Sequence, residues 1–111
     1  MMNIRHLRAD GYEGIYFEDE DGNTLGIERA DAFDEQDVAA GMNAYCVVLG
    51  TGQSVYGGID HWRIDRPGHA LLVLTQVAAD ELGTEFDAFE IDADPAKLAT
   101  ADLIVQRLIA D

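Results

Sequence analysis

Apolar and polar residues alternate with a period of two early in the chain, in Ile4 to Ala9 and again in Tyr12 to Phe17. That is the pattern of strands with one face covered and the other wet. The run Glu18-Asp19-Glu20-Asp21 then meets Gly22-Asn23, residues suited to a tight turn, so Thr24 to Glu28 is predicted to return as the partner strand. The result is a hairpin with a highly charged tip. From Ala30 to Gly41 the period is lost; Asp34, Glu35 and Asp37 precede a short Val38-Ala39-Ala40 stretch, and the segment reads as loop. Tyr45 to Leu49 is a compact apolar run closed by Gly50-Thr51-Gly52, and Ser54 to Asp60 follows at hairpin distance. Trp62 to Asp65 continues the extended pattern, and Arg66-Pro67-Gly68-His69 supplies a turn. Ala70 to Thr75, apolar almost throughout, reads as a central strand, and Phe86 to Ile91 as one more.

Two segments carry the helical period instead. Gln76 to Leu82 is alanine-rich and stops at Gly83. The last segment is clearer: Asp94 suits a helix cap, Pro95 its first turn, and Leu98, Ala101, Val105 and Leu108 recur on one face, joined by Ile104 and Ile109. That stripe needs a sheet to cover. The expected architecture is α+β: an antiparallel β-sheet of about six to eight strands with two C-terminal helices packed on one face. A chain of 111 residues is long enough for one such core, so residues 1–111 are expected to form a single domain.

Charge changes this picture more than composition does. The formal net charge is −15, and it is segregated. Asp10 to Asp37 holds eleven acids against Arg29 alone, and Asp80 to Asp94 holds seven acids with no Lys or Arg. Such a surface repels nucleic-acid phosphates and anionic bilayers and attracts basic partners, so neither nucleic acid nor membrane is expected as a partner. The start, MMNIRHLRAD, has no apolar stretch after its basic residues, and no run reaches membrane-spanning length, which predicts cytoplasmic residence. Cys46 is the only cysteine and lies in an apolar run, so a buried thiol is expected.

Candidate chemistry is sparse. His6, His61 and His69 show no metal-ligand spacing and read as surface or turn histidines. An enzymatic reading would pair His61 with Asp60 or Asp65, but neighbours in a strand point to opposite faces. Asp19 to Asn23 superficially suggests calcium, yet its glycine comes too early and the final glutamate of the twelve-residue loop is missing. Ser54 lacks the surroundings of a hydrolase elbow, and Gly50-Thr51-Gly52 lacks the Lys of a phosphate loop. No catalytic residue, metal or cofactor is expected. In Tyr56-Gly57-Gly58-Ile59, glycines inside a strand imply a bulge or close packing beneath a helix. Tyr56 and Trp62, bordered by polar residues, are candidate interface anchors, and Tyr45 is a third.

The order of Ser54-Val55-Tyr56-Gly57-Gly58-Ile59, the strand Ala70 to Leu74, a helix with Ala78, Ala79, Leu82 and Gly83, the strand Phe89-Glu90-Ile91 and a terminal helix resembles the tenth family of bacterial polymorphic-toxin immunity proteins. The likeness covers about the last sixty residues well and the first fifty weakly, with the acidic hairpin outside it. It implies a small protein, encoded beside a toxin, that neutralises the toxin by binding and not by catalysis. The charge pattern then suggests how: Glu18, Asp19, Glu20, Asp21, Asp34, Glu35 and Asp37 would occupy a basic cleft of the cognate toxin, such as that of a nuclease, with Tyr45, Tyr56 or Trp62 as an apolar anchor. The competing reading is a small-ligand or carbohydrate-binding module built on Tyr56, Trp62 and a pocket under the glycines.

Overall fold

The alternating segments at the start of the chain form the first three strands of an antiparallel sheet: β1 (Asn3–Ala9), β2 (Tyr12–Glu18) and β3 (Thr24–Ala30). The computed structural model describes residues 1–41 and 43–110, and in it β4 (Cys46–Leu49) and β5 (Ser54–Tyr56) extend this sheet in the order β1-β2-β3-β4-β5. Register places Phe17 opposite Leu25, Ile15 opposite Ile27, Ile27 opposite Val47 and Val47 opposite Val55. All six are buried, so one face of the sheet is a continuous apolar ridge. A second sheet, β6 (Ile59–Arg66), β7 (His69–Leu74) and β8 (Ala88–Asp92), contributes Ala70, Leu72, Leu74 and Ile91 to the same core.

The class is α+β, as the pattern predicts, but the strands divide into two sheets and the helices number three among the described residues: α1 (Glu35–Ala39), α2 (Gln76–Leu82) and α3 (Pro95–Ile109). The division falls at Gly57-Gly58, inside the segment expected to be one strand. Their φ angles are +70° and +95°, a region that residues with a β-carbon rarely adopt, so the ladder of β5 ends there and β6 starts in another sheet. The close-packing expectation holds: a β-carbon on Gly58 would lie 2.6 Å from that of Ala78 in α2. Hydrogen bonds pin the crossing, from the Gly57 amide to the Tyr45 carbonyl at 2.7 Å and from the Thr75 amide to the Gly58 carbonyl at 2.8 Å.

The first helix corrects the loop expected between Ala30 and Gly41. Asp34 and Asp37 form a reciprocal capping box, each carboxylate accepting the other's backbone amide, at 2.8 Å to Asp34 and 3.1 Å to Asp37. Aspartate at the third helical position replaces the usual Glu or Gln, which hid the signal.

Helix α3 begins as its sequence predicts, with Asp94 accepting the Lys97 amide at 3.0 Å and Pro95 in the first turn. Its buried stripe of Leu98, Ala101, Val105 and Leu108 spans strands of both sheets. Each large aliphatic side chain so buried contributes about 1.5–3 kcal/mol. Polar clasps hold it in place. Trp62 Nε1 donates to Asp102 at 2.8 Å, Arg29 donates to the carbonyls of Leu108 and Ala110, and Arg107 reaches the buried Glu13 at 2.5 Å. Glu13 also accepts from Arg8 at 3.0 Å and bonds His6 at 2.6 Å. Burial alone would raise its pKa, but His6, Arg107 and Arg8 outweigh that and hold it below the ordinary value.

Candidate functional site

At the β2–β3 tip one carboxylate builds the turn on which the others stand. Asp19 Oδ1 accepts the amides of Asp21 and Asn23, both at 2.9 Å, and Oδ2 accepts from Asn23 Nδ2 at 3.0 Å. The side-chain bond from Asn23, then its amide, keep the Asp19 pKa below the ordinary value, so it stays charged. Glu18, Glu20 and Asp21 project from this turn, exposed, and Glu20 pairs with the N-terminal amine at 3.1 Å.

The fold adds acids from the other charged segment. The Met2 amide donates to the Asp92 carbonyl at 2.6 Å, bringing β8 beside the tip. Asp19, Glu20, Asp21, Glu90 and Asp92 consequently share one hollow with Met1 and Met2. Next to it, a cleft of ≈ 570 Å³ opens where the ends of the two sheets diverge, between the hairpin tip, the β4–β5 turn at Gly50 and Thr51, and β8. Its accessible apolar lining is the half-buried Met2, Leu49 and Phe89, backed by the core residues Phe17, Leu25 and Ile91, and Asp19 and Glu90 also line it. No residue of the three helices lines it.

The remaining candidates lie elsewhere. Asp34, Glu35 and Asp37 cap and open α1, beyond the far end of β3 from the hairpin tip. Seven strand residues span about 20 Å, so the two acidic groups do not form one patch. Tyr56, 44% exposed, faces a second hollow of ≈ 460 Å³ with Asp37, Tyr12 and Phe33. Trp62 and Tyr45 are half-buried and bound internally: the Trp62 ring centroid lies 5.9 Å from that of Phe17, and the Tyr45 hydroxyl accepts the Ile59 amide at 2.9 Å. Ala78 packs against Gly58, whereas nothing lies within 4 Å of where a β-carbon on Gly57 would stand.

His6 and His61 are exposed as expected, but one histidine parts from expectation. His69, expected at the surface or in a turn, is the first residue of β7 and 4% exposed. Its Nδ1 bonds Asp65 at 2.5 Å, while Nε2 faces Glu90 at 3.3 Å and Asp92 at 3.9 Å. The Asp65 bond raises the His69 pKa, and His69 in turn holds that of Asp65 down. Asp65 is thus committed to His69 and not to His61, which is exposed on β6. Among the described residues no three His, Cys, Asp or Glu side chains are grouped to hold a metal ion. No described helix is long and apolar enough to cross a membrane.

Pattern reading missed Met2, Leu49, Thr51, Phe89, Glu90 and Asp92 as neighbours of the tip. Only the acidity of Asp80 to Asp94 hinted at Glu90 and Asp92, because their placement depends on how β8 meets the amino-terminal segment.

An α+β scaffold of this kind presents fixed carboxylates beside an apolar recess, a surface suited to docking cationic and apolar groups together. The family model for immunity protein 10 matches residues 14–99, and the chain belongs to that family. The match begins in β2 and so includes the acidic hairpin, which the resemblance had left outside; it ends at Ala99, early in α3. No curated protein and no solved structure matches the chain.

Proposed function

We propose that this immunity protein binds and neutralises a cognate bacterial toxin without catalysis, presenting the acidic end of the molecule to a basic surface on the toxin. The observation that carries the reading is the convergence of two acidic segments, distant in sequence, on one edge: Asp19, Glu20 and Asp21 with Glu90 and Asp92. A nuclease toxin fits this chemistry best, because a cleft that holds phosphate must be basic, and carboxylates at the right spacing replace the nucleic acid there. Occlusion requires no reaction on the immunity protein, only an encounter fast enough and a complex long-lived enough to protect the cell.

The long-range field of these charges extends about a Debye length, roughly 8 Å at physiological salt, so it acts mainly on the association rate. The test neutralises Glu18→Gln, Glu20→Gln and Asp21→Asn together, leaving Asp19 because its carboxylate builds the turn. Binding is measured against the carboxyl-terminal domain of the toxin encoded beside this chain. The expected outcome is an association rate about ten-fold lower at low salt, with a flatter salt dependence. An unchanged rate and salt slope would show that the acidic tip is not the docking edge.

A further inference from the structure

We infer that the cleft between the two sheet ends is the seat of an apolar side chain that the toxin carries between basic residues. This rests on the toxin-binding reading above and goes beyond it in naming a recess, its lining and the chemistry of the group that fills it. The acidic hairpin alone would serve any cation. The cleft is more selective, because the half-buried Met2, Leu49 and Phe89 that line it reward an apolar group, while Asp19 and Glu90 beside them reward positive charge on either side of that group.

Charge fixes the occupant as a basic protein segment. No Lys or Arg lines the cleft or the adjoining acidic hollow; the cationic groups beside these acids are the N-terminal amine, 3.1 Å from Glu20, and His69, whose Nε2 lies 3.3 Å from Glu90, too few to balance five carboxylates. A second copy of this chain would bring its own net charge of −15 to those acids, and like-charge juxtaposition opposes it. A phosphate-bearing or carboxylate ligand meets the same repulsion. The recess of ≈ 570 Å³ falls in the size range of small-ligand sites and takes one large side chain with its neighbours. The division of labour follows from distance: the exposed carboxylates act before contact, whereas the apolar lining acts only once water has left the recess. The acids therefore set the rate of association and the cleft sets the rate of release.

Two variants test this against the same toxin domain. Thr51→Phe adds bulk at an exposed turn position on the cleft wall, and Phe89→Ala removes part of the apolar lining. Both are expected to raise the dissociation rate at least about ten-fold while leaving the salt dependence of association as in the parent chain. Hydrogen exchange of the unsubstituted chain supplies an independent readout: complex formation should protect the amides of Gly50, Thr51, Glu90 and Ile91. If the complex forms but these amides stay unprotected and neither variant changes the dissociation rate, the cleft is not the seat, although toxin binding stands. If the unsubstituted chain and the toxin domain form no complex, the underlying reading fails with it.

Discussion

Substituting Gly58 by alanine separates two costs that the Gly57-Gly58 pair otherwise combines. Both residues have positive φ, and holding a residue with a β-carbon there costs about 1–2 kcal/mol. At Gly57 nothing lies within 4 Å of an added β-carbon, so Gly57→Ala should cost only that, reduced by the ~0.4–1 kcal/mol gained from a stiffer unfolded chain. At Gly58 the added atom would sit 2.6 Å from the Ala78 β-carbon, and Val55 lies on another side at 3.5 Å, so α2 must shift. Overpacking of this kind adds about 1–3 kcal/mol, bringing Gly58→Ala to about 2–5 kcal/mol before the same correction, a large share of the ~5–15 kcal/mol stability usual for small domains. Urea unfolding followed through the single Trp62, whose ring lies against Phe17, measures both variants. Adding Ala78→Gly to Gly58→Ala vacates the contested space, and a double-mutant cycle should recover most of the packing term as coupling. Equal destabilisation by Gly57→Ala and Gly58→Ala, with no coupling to Ala78, would refute the steric account of the crossing.

Two further outcomes follow from the ion pairs. In the pair of His69 and Asp65, the raised His69 pKa means its contribution is fully present below pH 6.5 and fades as pH rises through the raised value. The lowered Asp65 pKa means its share is present above pH 3.8 and fades as pH falls through the lowered value. Asp65→Asn should therefore lower the urea midpoint more at pH 5 than at pH 8.5, and an equal loss at both would show that the pair does not titrate as placed. Glu13→Gln should cost about 1–3 kcal/mol, less than a fully buried pair because Arg8 and Arg107 remain largely exposed and can rehydrate. Since the Glu13 pKa lies below its ordinary 4.5, its contribution is lost only as pH falls through that lowered value, and the variant should flatten acid unfolding monitored by circular dichroism.

Local periodicity carried the strands and the long helix because each is a property of a short window: Ile15 and Phe17 alternate, and Leu98 to Leu108 recur every three or four residues. The capping box at Asp34 escaped because aspartate stands where glutamate is usual, and the break at Gly57-Gly58 because a glycine pair inside an extended run is equally compatible with a bulge. The candidate site was legible only in halves. The charge of the hairpin can be counted from sequence, but its alliance with Glu90 and Asp92 arises from contacts between segments far apart in the chain, among them the bond from Met2 to Asp92. Likewise, no local signal told that Trp62, half-buried, would bind its indole nitrogen to Asp102, 40 residues away.

The turn at the hairpin tip concentrates its architectural duty in Asp19, whose carboxylate accepts three hydrogen bonds, while the side chains of Glu20 and Asp21 next to it support no other part of the fold beyond a pairing of Glu20 with the chain's first amine. Replacements at those two positions therefore leave the backbone where it is. The charge carried at the tip can thus be rewritten residue by residue with the scaffold beneath it unaltered.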